Sequence, residues 1–167
     1  MLYTYLQTPI GALLLAGDGH ALSRISFPTG SRMMAPGPDW QRDDAAFILA
    51  RQELTDYFNG KLRAFTVPLA PAGTPFQIQV WTALRAIPYG ETITYGTLAR
   101  RIGRPTASRA VGAANGANPL PIILPCHRVI GGTGALTGFG GGLPTKTWLL
   151  TLEGAAAAGS QTELAFA

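Results

Sequence analysis

The residues best suited to chemistry stand together at Pro125-Cys126-His127-Arg128. Cys126 is the only cysteine among 167 residues, so an internal disulfide and a cysteine-based zinc cluster are both excluded. A thiolate is a nucleophile, and a nearby base or positive charge is what activates one. Adjacency in sequence does not bring His127 or Arg128 to the sulfur, because neighbouring side chains of an extended segment point to opposite faces. A lone cysteine after the apolar Ile122-Ile123-Leu124 also fits an inert place in a core. Taken alone, the tetrapeptide leaves both roles open.

Charge is distributed unevenly around it. Seven acids (Asp18, Asp39, Asp43, Asp44, Glu53, Asp56, Glu91) balance seven bases up to Glu91. Between Thr92 and Leu152 there is no acid, while Arg100, Arg101, Arg104, Arg109, Arg128 and Lys146 are all basic. That segregation suits a face that binds a polyanion, and it equally suits an ordinary solvated basic surface. With 47% apolar residues and a net charge of +4, the chain can bury a core and is not a disordered polyelectrolyte. The start lacks the basic region and long apolar run of a signal peptide, and no apolar stretch approaches the ~20 residues of a membrane span. The sequence predicts a cytoplasmic protein with no membrane partner.

The elements that must position Cys126 follow from the pattern. Residues 10–16 and 21–27 read as strands joined across Asp18-Gly19. A loop rich in Pro and Gly covers 28–38. Asp43 and Asp44 precede a helix carrying Phe47, Ala50, Leu54, Tyr57 and Phe58 and stopped by Gly60, and residues 64–69 predict one more strand. Nothing in this first unit looks catalytic. Residues 71–74 read as a linker between a unit at 1–70 and one at 75–154, with an Ala-rich tail at 155–167. Thr74-Pro75 opens a helix with Phe76, Val80, Leu84 and Ile87 inward. Tyr95, Leu98, Ala99 and Ile102 mark a second helix ended by Gly103, and a Thr106 cap predicts a third from Ala107 to Asn115, a helix-turn-helix pattern. Ala107, Ser108, Ala110, Gly112, Ala113 and Ala114 leave the third helix almost without bulk apart from Arg109 and Val111. Such a helix packs tightly against a neighbour, or presses its backbone into a minor groove with Arg109 reaching the base stack. Residues 117–142 form a long loop, of the kind that carries function. A closing helix over 146–152 turns Trp148, Leu149 and Leu152 inward.

The Pro-Cys-His-Arg-Val run at 125–129, preceded by Asn118-Pro119 and followed by a Gly-rich turn and a Leu-Leu-x-x-Glu helix, resembles the signature of the methylated-DNA-protein-cysteine methyltransferases, the 6-O-alkylguanine-DNA alkyltransferase family. The likeness runs from Gly73-Thr74-Pro75-Phe76 through Gly90-Glu91, Thr94-Tyr95 and Ser108-Arg109-Ala110-Val111-Gly112 to Glu153-Gly154, about half of the chain in nearly ungapped order. It implies a small antiparallel sheet with a packed helix (α+β), followed by a mainly α domain with a winged-helix-like helix-turn-helix. The implied activity is that of a methylated-DNA-[protein]-cysteine S-methyltransferase, used once per molecule without a cofactor. The implied partner is double-stranded DNA carrying alkylated guanine, and by extension alkylated thymine, bound through its minor groove by a monomer.

The same resemblance implies roles for individual residues. Cys126 is the alkyl acceptor, His127 its base through a water, Glu153 the group that orients the imidazole, and Asn118 the brace of the cysteine loop. Tyr95 donates to a guanine ring nitrogen. The backbone of Gly140 binds O6, the carbonyls of Cys126 and Val129 recognise the exocyclic amine, and Phe139 and Pro121 border the base. Arg109 fills the gap left by the flipped nucleotide, Ala110 lies in the groove, and Thr94, Ser108, Asn115 and Arg128 complete the DNA contacts. Two departures stand out. Many members carry a hydroxyl residue where Gly140 stands, so the Phe139–Gly142 run is expected to be mobile. Some members hold zinc in the first domain, whereas Cys126, His20 and His127 cannot form that site, and no metal is expected. Three other readings are weighed: a non-catalytic lesion-binding relative, disfavoured because Cys126 is present; a transcriptional regulator, which leaves Cys126, His127 and Glu153 unexplained; and a Cys-His-Glu hydrolase, which would turn over repeatedly.

Overall fold

A computed structural model of the chain describes residues 1–132 and 139–155; the middle of the Gly-rich loop and the expected tail beyond Ala155 lie outside the described residues. The first unit is a four-stranded sheet in the order β3-β2-β1-β4, with β1 at Leu2–Thr8, β2 at Gly11–Gly17, β3 at Leu22–Ser26 and the short β4 at Gln41–Arg42. The three long strands are antiparallel and β4 joins β1 in parallel. The sequence reading does not predict β1. Its alternation is concealed because Thr4, a polar residue, shares the inward face with Leu6 and is fully buried, its hydroxyl donating to Asp44 at 2.6 Å.

The turn after β2 is wider than a two-residue hairpin. The Asp18 carboxylate accepts from the backbone N–H groups of His20 and Ala21, Gly19 takes φ +97°, and a bulge at Ala16/Gly17 absorbs the extra length. The helix after the loop is α1, Ile48–Phe58, entered through a short 3-10 turn at Asp44–Phe47. The strand expected at 64–69 is absent; only a bridge between Leu22 and Leu69 forms. Its donors are committed elsewhere, since the Glu53 carboxylate accepts from the N–H groups of Thr66 and Val67, and Pro68 has none to give.

In the second unit Thr74 closes a full capping box with Gln77 and starts α2, Pro75–Leu84. Helix α3, Tyr95–Arg101, is capped by Thr94, and α4 spans Ser108–Gly116. Thr106 does not cap α4; Ala107 holds that place without a side-chain bond. Strand β5, Ile93–Thr94, pairs in parallel with β6, Val129–Ile130, which ties the end of the cysteine loop to the start of α3. The chain closes on α5, Leu143–Glu153. Its buried side chains are Lys146, Thr147, Leu149, Leu150 and Glu153, and Trp148 and Leu152 are half-buried against the core, so the expected inward residues do pack inward and the charged Lys146 and Glu153 join them. One apolar core runs through both units from Leu6 to Leu149, and Ile25 of β3 donates to Pro119 across them at 2.8 Å.

Candidate active site

Cys126 begins a 3-10 turn, Cys126–Arg128, rather than an extended segment. The loop leading to it is held by Asn118, whose Nδ2 donates to the Leu124 carbonyl at 2.7 Å and whose Oδ1 accepts from the Leu120 N–H at 2.9 Å. Between those contacts Ile122 adopts φ +77°, a left-handed conformation costly for a β-branched residue. The loop is therefore over-determined by its bonds, and it delivers a thiol that is only 5% exposed.

Behind the turn lies a buried charge cluster. His127 and Glu153 are both sealed from solvent, with Nε2 2.7 Å from Oε2. Glu153 also accepts from Arg128 Nε at 2.8 Å and Nη2 at 2.9 Å, and from the Tyr57 hydroxyl of α1 at 2.6 Å. Arg128 spends its remaining reach on the Ile87 carbonyl at 2.7 Å. Burial works against the Glu153 carboxylate, but the hydrogen bonds from His127 and Arg128 and the charge of Arg128 outweigh it and hold the group far below the usual carboxylate range. An ionised Glu153 demands a proton on Nε2 of His127, which leaves Nδ1 as the basic nitrogen; Nδ1 is buried and has no hydrogen-bond partner among the described residues. Burial pulls His127 below its ordinary value despite Glu153, so the imidazole is neutral near pH 7.

Burial also pushes the Cys126 thiol up to about 11, tempered by a hydrogen bond from Asn118 and the charge of Lys146. Lys146 is itself fully buried, donates to the Val129 carbonyl at 2.8 Å, and is drawn down by burial to about 8. The resting protein thus presents a protonated thiol, a neutral imidazole and one ammonium close enough to favour the thiolate.

Cys126, Asn118, Pro121, Phe139 and Gly140 meet around one open pocket. Val129 is wholly buried behind it, with its carbonyl engaged by Lys146. Tyr95 stands at the first position of α3 beside α4, where a Cβ on Gly112 would lie 3.8 Å from its ring. Arg109 and Ala110 are exposed on the first turn of α4, with Ser108 half-buried beside them.

Two residues expected at the DNA surface, Arg128 and Asn115, are buried. Arg128 is buried against Glu153, so it is not a surface cation, and Lys146 likewise leaves the basic face. The exposed cations of that stretch are Arg100, Arg101, Arg104 and Arg109. Asn115 is buried in the pocket wall, its Nδ2 3.4 Å from the Cys126 carbonyl. Thr94 commits its hydroxyl to Thr97, accepting from its N–H and bonding its Oγ1. Sequence reasoning also missed partners from the first unit: Tyr57 on Glu153, and Arg24, Phe27 and Arg32 in the pocket wall. Phe139–Gly142 lies against the first unit, with Phe27 and Phe139 rings 5.5 Å apart and Gly142 donating to the Phe139 carbonyl.

A buried cysteine backed by a Glu-His pair, set beside a helical face with exposed arginines, defines a protein that carries a candidate nucleophile next to a candidate polyanion-binding surface. The comparisons agree over most of the chain: residues 1–71 match the ribonuclease-like domain of 6-O-methylguanine DNA methyltransferase, and residues 75–155 its DNA-binding domain. A methylated-DNA–protein-cysteine methyltransferase of Methanosarcina acetivorans is 51% identical over 92% of this chain and 99% of its own. That of Mycobacterium tuberculosis is 49% identical over 90% of this chain and 91% of its own. The crystal structure of Mycobacterium tuberculosis OGT in complex with DNA superposes with a TM-score of 0.87 at 48% identity, covering 93% of this chain and 94% of that one. The chain belongs to the methylated-DNA–protein-cysteine methyltransferase family, whose work is the repair of alkylated DNA.

Proposed function

We propose that the chain reverses DNA alkylation by moving the alkyl group from O6 of guanine, or O4 of thymine, onto Sγ of its own Cys126, once and irreversibly. The observation that carries this reading is the burial of Cys126 at a pocket backed by the 2.7 Å His127–Glu153 bond. In the reaction, Sγ attacks the alkyl carbon, the carbon–oxygen bond breaks, and its electron pair stays on the base. The thiol proton passes towards Nδ1 of His127 and ends on the released guanine, so a neutral thiol and an O6-alkylguanine become a thioether and guanine. The thioether is stable, and the one hydroxyl side chain of the pocket lining, Ser26, is engaged with the Phe27 carbonyl and the Met34 N–H.

A base stacked in a duplex cannot meet a sulfur this deeply buried, so the nucleotide must rotate out at a cost of a few kcal/mol, less for a lesion that pairs badly. Exposed Arg109, on a helix otherwise made of small residues, is suited to occupy the gap while Ala110 and Ser108 lie in the minor groove. Tyr95 stabilises the leaving base by donating to a ring nitrogen, and the Gly140 backbone takes O6. Phe139 and Pro121 bracket the base, and Val129 supports its exocyclic amine edge. Asn118 keeps the loop in place, and the protein acts as a monomer on double-stranded DNA. The test is intact mass with peptide mapping after incubation with a duplex holding one O6-methylguanine. One methyl on Cys126 per lesion repaired, absent in Cys126→Ser, is expected; an unchanged mass despite tight lesion binding would refute the reading.

A further inference from the structure

We infer that Arg24 and Arg32, both from the first unit, form an anion-binding rim on the Cys126 pocket, so that this unit takes part in recognising the substrate. The inference rests on the proposed alkyl transfer to Cys126. Two guanidiniums line the pocket, and no Asp or Glu does. Neither arginine is in an ion pair among the described residues.

Their positions are built into the backbone. Arg24 is half-buried on β3, next to Ile25, whose N–H donates to Pro119 of the cysteine loop at 2.8 Å. Arg32 donates its own N–H to the Gly140 carbonyl at 3.2 Å. A Cβ at Gly140 would fall 2.6 Å from Cγ of Arg32, and one at Gly30 would fall 2.1 Å from the Gly140 oxygen. Gly30 also needs its φ of +97°. Glycine on both sides therefore lets the loops touch, and the arginine stem fills the space where a hydroxyl-bearing residue 140 is expected from the resemblance.

An O6-alkylguanine base is neutral, so it offers two guanidiniums hydrogen-bond acceptors but no counter-charge. The anions that a flipped nucleotide carries are its flanking phosphates and, where the adduct ends in one, a carboxylate on the alkyl group. Both offer paired oxygens that a guanidinium fork matches, and an uncompensated positive rim draws either one in.

The test compares single-turnover rates for wild type, Arg24→Ala, Arg32→Ala and Arg32→Lys on three probes. These are free O6-benzylguanine, the same base with a carboxylate on the benzyl ring, and a duplex with one O6-methylguanine. Wild-type alkylation of Cys126 by the duplex checks the underlying reaction separately. The alanine variants should lower the ratio of an anionic probe's rate to the neutral base's by about tenfold, the order of one lost charge-assisted hydrogen bond, with Arg32→Lys in between. A fall confined to the duplex assigns a phosphate, and a fall confined to the carboxylated base assigns the alkyl end. Unchanged ratios for both anionic probes overturn the inference. Arg24→Gln and Arg32→Gln, which keep most of the stem, replace any alanine variant that does not melt like wild type.

Discussion

Replacing Lys146 by methionine should separate stability from activity, and the size of the effect follows from burial. The ammonium is wholly enclosed, and desolvation draws its pKa from 10.5 to about 8. An unfolded lysine keeps its proton up to about pH 10.5, whereas the folded one releases it near pH 8. Between those values the unfolded state binds more protons, so this residue makes stability rise with pH. The gap corresponds to about 3 kcal/mol. Lys146→Met keeps a similar volume but removes the titration, so the stability of wild type relative to the variant should grow by about 3 kcal/mol from pH 8 to pH 10.5. Cys126 runs oppositely: its folded value is raised from 9.0 to about 11, so its contribution is present below pH 9 and is lost as pH climbs to 11. Both proteins carry that thiol, so it largely cancels in the difference. Urea unfolding followed by tryptophan fluorescence at several pH values reads the quantity directly. Alkyl transfer by the variant should meanwhile fall by roughly tenfold, one pKa unit of the thiol, because the ammonium that favours the thiolate is gone. A stability difference flat with pH to about 0.5 kcal/mol, or a variant as reactive as wild type, would refute the account of how Cys126 is activated.

Three other outcomes are expected. Tyr57→Phe deletes one charge-assisted bond without opening a cavity, so urea unfolding should show a loss of about 2 kcal/mol, with transfer slowed far less than in Glu153→Gln. Glu153→Gln should cost about 3–5 kcal/mol, because Arg128 is left buried without its counter-charge, and should slow methyl transfer by about 10² or more; near-normal rates in that variant would show that His127 needs no orienting carboxylate. Arg109→Ala should slow repair of a lesion in duplex DNA more than reaction with free O6-benzylguanine, since only the duplex requires extrusion, and equal losses in the two assays would remove the intercalating role.

Much of the scaffold was legible because its signals are local. The Thr74-Pro75 cap, the stops at Gly60 and Gly103, and the apolar spacing of α1 and α2 act within one or two turns of chain. The strand expected at 64–69 failed for a non-local reason: its backbone donors are taken by Glu53, thirteen and fourteen residues earlier. The contribution of the first unit to the site was invisible in the same way. Tyr57 sits in an ordinary apolar helical stripe, and only its 2.6 Å bond to Glu153, ninety-six residues on, distinguishes it from a core residue.

The basic stretch shows why composition alone misassigns charge. Six cations between Thr92 and Leu152 look like one electrostatic feature. Two of them are internal, each fixed by a partner the local pattern does not announce: Arg128 by Glu153, twenty-five residues away, and Lys146 by the Val129 carbonyl, seventeen away. A signal for Lys146 was present in the helix, where it shares an i, i+3, i+4, i+7 stripe with Leu149, Leu150 and Glu153, so that two opposite charges bracket an apolar face. Charges at both ends of an inward stripe must find partners inside, and here the partners surround the nucleophile. Burial keeps the His127 imidazole from being protonated at rest, and the charge of Arg128, which also partners the carboxylate that orients it, acts in the same direction. Lys146 is left as the nearby positive charge that lowers the cost of ionising Cys126. The exposed arginines that remain can then serve the polyanion without altering the thiol, because the internal cations and the surface cations are separated by burial.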